Sequence, residues 1–268
     1  MSASARGYFW RGEKFKYLEH LLFLPKVRRV LINLKMTKQI QINSDTFARV
    51  LNRKDRGFYQ EVEAKTAEKF GINSLAYKTI TNGINTQNVT GSQFFWNTNL
   101  GLYLPKNQRV VSLEDMEAIN DLNEHFFDEF VSDPAEILLK TENAPPSMNE
   151  RYILKDLIRQ INEQKFEFSL ENPLRISGVE LVKDENLENK CGLLMKIGSN
   201  TKIINDKRFA NSGDFLIQFG KRQKKYYRDD FFGFTRIFSG VEGHLFASCY
   251  NFDDSGKHFG RVVIIEQK

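Results

Sequence analysis

In the first part of the chain, apolar residues recur at spacings of three and four, the period of a helix with one buried face. Phe15, Leu18, Leu21 and Leu22 share such a face over residues 13–24. Ser44 stands as a candidate N-cap before DTFARVL, and residues 57–70 form a charged amphipathic run closed by Gly71, a C-terminal signal. Ser112, with Asp115 three positions on, opens a run in which Met116, Ile119, Leu122, Phe126 and Phe130 keep helical spacing. Leu154, Leu157, Ile158 and Ile161 predict one more helix over 150–163. Between these runs, residues 81–108 are rich in Asn, Thr, Gln and Gly. They read as loop with one or two short strands at FFW (94–96) and LGLYL (100–104).

From residue 174 the period shortens. LRISGVELV, CGLLMKIG, TKIIN, DFLIQFG, FTRIFSG, HLFASCYNF and RVVIIEQ are short runs separated by polar turns, and Asp254-Ser255-Gly256 suits a hairpin before the last of them. The pattern predicts an α+β protein with a mostly helical N-terminal half, residues 1–142. A candidate linker, NAPPSMN at 143–149, follows, and then residues 150–268 as a helix plus an antiparallel β domain of sandwich or barrel type.

Composition adds bounds. With 268 residues, 41% hydrophobic and 13% aromatic, the chain can bury a large core, and its 23 phenylalanines favour dense aromatic packing. The net charge of +5 licenses only weak attraction to phosphate unless cations cluster. The two cysteines, Cys191 and Cys249, make no disulfide framework and have no CxxC partner, which predicts a reducing, cytoplasmic setting. LEHLLFLPKVRRVLINL (18–34) is broken by Pro25 and basic residues well short of a membrane span, and the N-terminal residues lack the order of a signal peptide. The expectation is a soluble, unsecreted protein.

Two stretches carry candidate chemistry. In TAEKFGINSLAYKTI (66–80), Ala67 and Gly71 have the spacing of a small residue at a helix contact and a glycine in the following turn; Phe70 and Ile72 flank that turn, and Tyr77 and Ile80 fall on the inner side of a second helix. Over these residues the chain resembles the helix-turn-helix of bacterial and phage repressors, within 57–81. The resemblance implies base-edge contacts from Asn73, Ser74 and Lys78 and phosphate contacts from Arg53 and Arg56. The plainer alternative is a surface helix with a glycine C-cap.

The second stretch is GKRQKKYYRDDFFGF (220–234), where Lys221, Arg222, Lys224, Lys225 and Arg228 alternate with Tyr226 and Tyr227. Cations that follow a phosphate backbone and aromatic faces that stack bases suit a nucleic acid. Tyrosines in a core and lysines on a solvated turn are the bland account. A catalytic alternative gathers Asp229, Asp230, His244, Asp253, Asp254 and His258 around Mg²⁺ or Mn²⁺ for phosphodiester cleavage. Against it, adjacent residues on a strand point to opposite faces, so an aspartate pair rarely shares one metal.

No Walker loop, GxGxxG after a strand, GxSxG elbow or HExxH occurs, which disfavours nucleotide hydrolysis, dinucleotide redox chemistry, serine hydrolysis and zinc proteolysis. The leading expectation is a non-enzymatic, cytoplasmic nucleic-acid-binding protein, DNA ahead of RNA, without cofactor or membrane contact. The alternatives are a metal-dependent nuclease and an assembly protein that oligomerises through aromatic surfaces.

Overall fold

The computed structural model describes residues 38–81, 92–143, 148–186, 191–210, 216–228, 233–239, 244–248 and 261–268, without the side chains of residues 53, 148–150, 228 and 246–248. The first regular elements among them are strands. β1 (Gln39–Gln41) and β2 (Thr46–Val50) form an antiparallel hairpin with Gln41 opposite Phe47. Ser44 lies in its turn, where the hydroxyl donates to the Asp45 carboxylate at 2.9 Å and caps no helix. Helical spacing of Phe47, Val50 and Leu51 is overridden because β2 is paired along its other edge as well, Val50 opposite Val263.

α1 (Arg56–Phe70) turns Tyr59, Val62, Thr66 and Phe70 inward and ends at Gly71. After a short turn comes α2 (Leu75–Thr81), started by Ser74, whose hydroxyl accepts from the Tyr77 amide at 3.0 Å. The expected loop and strands at 94–100 are instead α3 (Gln93–Leu100), begun by the Ser92 hydroxyl accepting from the Phe95 amide. Every residue of α3 except Thr98 is buried. A helix enclosed on all sides has no polar face and hence no amphipathic period to read. Its polar side chains find partners inside: Asn99 donates to the Thr66 hydroxyl at 2.7 Å, and Gln93 donates to the carbonyls of Val131 and Arg261, each at 3.2 Å.

β3 (Gln108–Val110) precedes α4 (Leu113–Leu122), which is opened by a reciprocal capping box between Ser112 and Asp115. α4 stops at Asn123 and does not run on through Phe126 and Phe130. Those rings and Phe127 instead pack edge to face from successive turns, at centroid separations of 5.0, 5.9 and 6.1 Å. β4 (Ser132–Leu139) and α5 (Met148–Glu163) follow. The remaining strands are β5 (Leu174–Ser177), β6 (Glu180–Lys183), β7 (Leu193–Lys196), β8 (Lys202–Asn205), β9 (Leu216–Phe219), β10 (Arg222–Arg228), β11 (Phe234–Ser239), β12 (Leu245–Ser248) and β13 (Val263–Gln267).

These elements correct the expected division into a helical half and a β half. Helices are interspersed with strands, four strands lie before residue 143, and strands dominate only the later part. Long-range pairing is the physical reason: one sheet runs β1-β2-β13-β3 and a seven-stranded sheet runs β8-β5-β4-β11-β12-β10-β9, so each joins strands from both sides of 143–149. β6 and β7 form a separate hairpin. Pairing is antiparallel except between β10 and β12, which are parallel.

β4 lies inside the seven-stranded sheet with both faces covered. Ile137 and Leu139 join a core with α1, α3 and α5, while Leu138 joins a second core with α4 and the Phe126, Phe127 and Phe130 cluster. β13 alternates in the same way, Ile264 into the first core and Val263 and Ile265 into the second. The described residues all belong to one compact unit, Lys38–Lys268. Among them no helix is long and apolar enough to cross a membrane.

Candidate nucleic-acid interface

The basic aromatic stretch is the β9–β10 turn together with β10. Antiparallel register sets Lys225 opposite Leu216, Gln223 opposite Gln218, and Arg222 opposite Phe219. Since successive strand residues face opposite ways, the stretch divides into two rows. Arg222, Lys224 and Tyr226 share the face of the buried Ile217 and Phe219, with Tyr226 buried, Lys224 half-buried and Arg222 exposed. Tyr226 is 1% exposed in the second core, its ring edge-on to Phe209 at 5.5 Å. Arg222 pairs with Glu124. Burial lowers the Lys224 pKa, with Asp128 pulling the other way. The preceding turn is fastened by Asp121, which accepts from the Lys221 amide at 2.8 Å. Gly220 has φ of 64°, and a β-carbon there would lie 2.7 Å from the same carboxylate, so the turn requires glycine.

Lys221, Gln223, Lys225 and Tyr227 form the outward row, beside Gln218 and the exposed Leu216 of β9. Tyr227 is 37% exposed. The Lys225 ammonium lies 5.9 Å from its ring centre, and the half-buried His244 ring lies 5.4 Å away at 55°. Among the described residues no ion pair takes up Lys221 or Lys225. Among the described residues the acids near β10 thus serve Arg222, Lys224 and the turn.

At the other candidate site α1 and α2 do form a helix pair joined by a short turn. Gly71 has φ of 80° and ψ of 125°, away from the left-handed helical well. Asn73 and Lys78 are exposed, whereas the Ser74 hydroxyl is engaged in capping α2. Ile72 and Leu75 are 63% and 47% exposed. α2 has 7 residues, and its first turn backs onto Gly192, where a β-carbon would meet the Ala76 amide at 3.0 Å. Arg56 begins the 15-residue α1 and Asn73 follows its end, which separates them by about 22 Å. They do not form one patch.

The side chains of Arg53 and Arg228 lie outside the described residues, as do Asp229, Asp230, Asp253, Asp254 and His258 entirely. Of the proposed metal ligands only His244 is described, beside Tyr227. Among the described residues no group of three or more His, Cys, Asp or Glu is arranged to hold a metal ion. Cys191 is buried.

Sequence reasoning missed two buried ionic groups. Arg236 of β11 pairs with Asp133 of β4 at 2.9 Å beneath α3, whose Asn97 amide donates to the Asp133 carbonyl at 2.6 Å. Burial pushes the Asp133 carboxyl up to about 6, against the pull of Arg236. Its Oδ1 also accepts from the Ala135 amide at 2.7 Å, which holds Ala135 at φ of 58°. In the second group Arg175 of β5 binds Glu136 at 2.6 Å, Asp206 at 3.0 Å, and Glu114. Burial raises the Glu136 pKa. Burial would raise that of Glu114 as well, but the Arg175 hydrogen bond and backbone bonding hold it down at about 2. The available signal was a single charge inside each apolar strand: Arg175 in LRIS, Arg236 in FTRIF and Glu136 in AEILL. A cleft of about 210 Å³ opens over the second group between Arg109, Ser177 and Lys202.

No protein-family model, curated protein or solved structure matches this chain.

Proposed function

We propose that the chain is a cytoplasmic, non-enzymatic nucleic-acid-binding protein, for DNA ahead of RNA, that holds its ligand on the outward row of β9 and β10. The observation that carries this reading is the sorting of charge across β10. Asp121 and Glu124 are engaged by the turn and the inner row, while Lys221 and Lys225 face outward without an ion-pair partner among the described residues, next to an exposed tyrosine. A cation already neutralised within the protein releases no counterion when phosphate arrives, so only the outer cations contribute to affinity. The α1–α2 corner, with exposed Asn73 and Lys78, is a second surface of the same proposal.

Binding of mixed-sequence labelled oligonucleotides at several salt concentrations, with magnesium present and the samples run on denaturing gels, tests it. Affinity should fall steeply with salt, and Lys221→Gln with Lys225→Gln should flatten the log–log slope by about 0.7–0.9 per cation removed. Absence of binding at low salt, or binding indifferent to salt, would overturn the proposal. Shortened products would instead favour the nuclease built on Asp229, Asp230, His244, Asp253, Asp254 and His258.

A further inference from the structure

Resting on that reading, we infer that the ligand of the β9–β10 face is a single strand, bound with little sequence preference and with one base stacked on Tyr227. The outer row repeats every second residue, about 6.6 Å along the strand, a step comparable to that between phosphates of an extended single strand. Its order along the chain is cation, amide, cation, aromatic: Lys221, Gln223, Lys225, Tyr227. Lys225 serves twice, as a phosphate contact and as the cation beside the Tyr227 ring at 5.9 Å. Gln223 and Gln218 stand opposite each other across the two strands, and a side-chain amide both donates and accepts. Such a pair meets the edge of any base, which gives hydrogen bonding without a code. Leu216 supplies apolar surface beside Lys225.

A duplex cannot use this arrangement. Its bases are stacked on one another and turn only their edges outward, so an aromatic face on a sheet finds no base face to cover. Described carboxylates lie on the inner side of the hairpin, where Glu124 holds Arg222, so charge and aromatic surface coincide on one side only.

Anisotropy titrations with short labelled oligothymidylate, oligouridylate of the same length and a duplex of the same length, all at one salt concentration, test the inference. A single strand, DNA or RNA, should bind about tenfold or more tightly than the duplex. Tyr227→Leu should weaken single-strand binding roughly 5- to 150-fold, whereas Tyr227→Phe, which keeps the ring, should stay within about twofold. An unchanged melting temperature in both variants shows that the fold is retained, as expected for an exposed side chain. If the duplex binds as well as the single strand, or Tyr227→Leu binds like the parent, the single-strand inference fails and the broader reading stands. If no oligonucleotide binds in any form, both fail together.

Discussion

The interior of the seven-stranded sheet and its β9–β10 end solve different problems with the same backbone. Around β4 the sheet is covered on both faces, and the strand is buried along nearly its whole length, its two charged members, Asp133 and Glu136, each meeting a buried arginine. At β9 and β10 the described residues cover only one face, and the residues alternate, with Ile217, Phe219 and Tyr226 in the core and Leu216, Gln218 and Tyr227 exposed. Covering decides what a charge can do. A cation under a helix is committed to its internal partner, whereas a cation on the bare face remains available to a ligand.

The comparison can be broken most severely by swapping equivalent residues between the two environments. Arg236→Met strands the buried Asp133 carboxylate and should cost about 3–5 kcal/mol, and Tyr226→Ala, which empties a core position, should cost a similar amount. Tyr227→Ala and Lys225→Met, one residue to either side of Tyr226, should change stability by less than about 0.5 kcal/mol. Urea unfolding of the four variants provides the check. If Tyr227→Ala proves as damaging as Tyr226→Ala, the outer row is part of the core and not a binding face.

A smaller effect appears in the pH dependence. The Asp133 carboxyl titrates near 6 in the folded protein, above its ordinary value of 3.8, because burial disfavours the charged form. The folded state therefore holds its proton when the unfolded chain has lost it, so this group's contribution to stability falls as pH rises from 4 to 6 and is level above that. The loss is on the order of 3 kcal/mol. Glu114 runs in the opposite sense: its pairing with Arg175 stabilises above pH 4.5 and is lost as pH falls towards 2. Urea midpoints across this range should show the first slope vanish in Asp133→Asn and persist in Glu114→Gln; persistence in both would mean that Asp133 is ionised throughout.

The smallest change concerns Ala135, whose positive φ is held by the Asp133 hydrogen bond. Ala135→Gly relieves the backbone strain while adding freedom to the unfolded chain, for a net gain of about 0.5–1 kcal/mol. A drop in melting temperature would show that packing of the alanine methyl outweighs the strain.

What could be read from the chain depended on whether an element has a wet face. α4 declares itself through the Ser112–Asp115 capping box and the one-sided stripe of Met116 and Ile119, and α1 through its stripe and Gly71. α3 is buried on every side and carries no such stripe, so FFWNTN looked like polar loop around a short strand. The later strands were visible as runs between turns, but β2 was disguised because its partner, β13, lies at the far end of the sequence. The candidate interface was visible as composition and hidden as geometry. Alternation along GKRQKKYYR implies two rows, yet the register with Ile217 and Phe219 of β9 decides which row faces the core, where Asp121, Glu124 and Asp128 come in from the end of α4 and the turns beyond it. The helix pair shows the converse, since Gly71 marked the end of α1 while the backing of α2 by Gly192 came from a distant hairpin.

The central place of β13 governs the order in which the chain can fold. Val50 and Val110 must both wait for residues 263–264 to be synthesised before the strands around them gain their shared neighbour. Until then β2 and β3 present unpaired backbone, the kind of edge that recruits other chains. Closure over so long a stretch of sequence is slow, and a slow search with exposed edges favours aggregation over refolding as concentration rises. Refolding yield should therefore depend more on protein concentration and on the supply of chaperones than the stability of the finished fold would suggest.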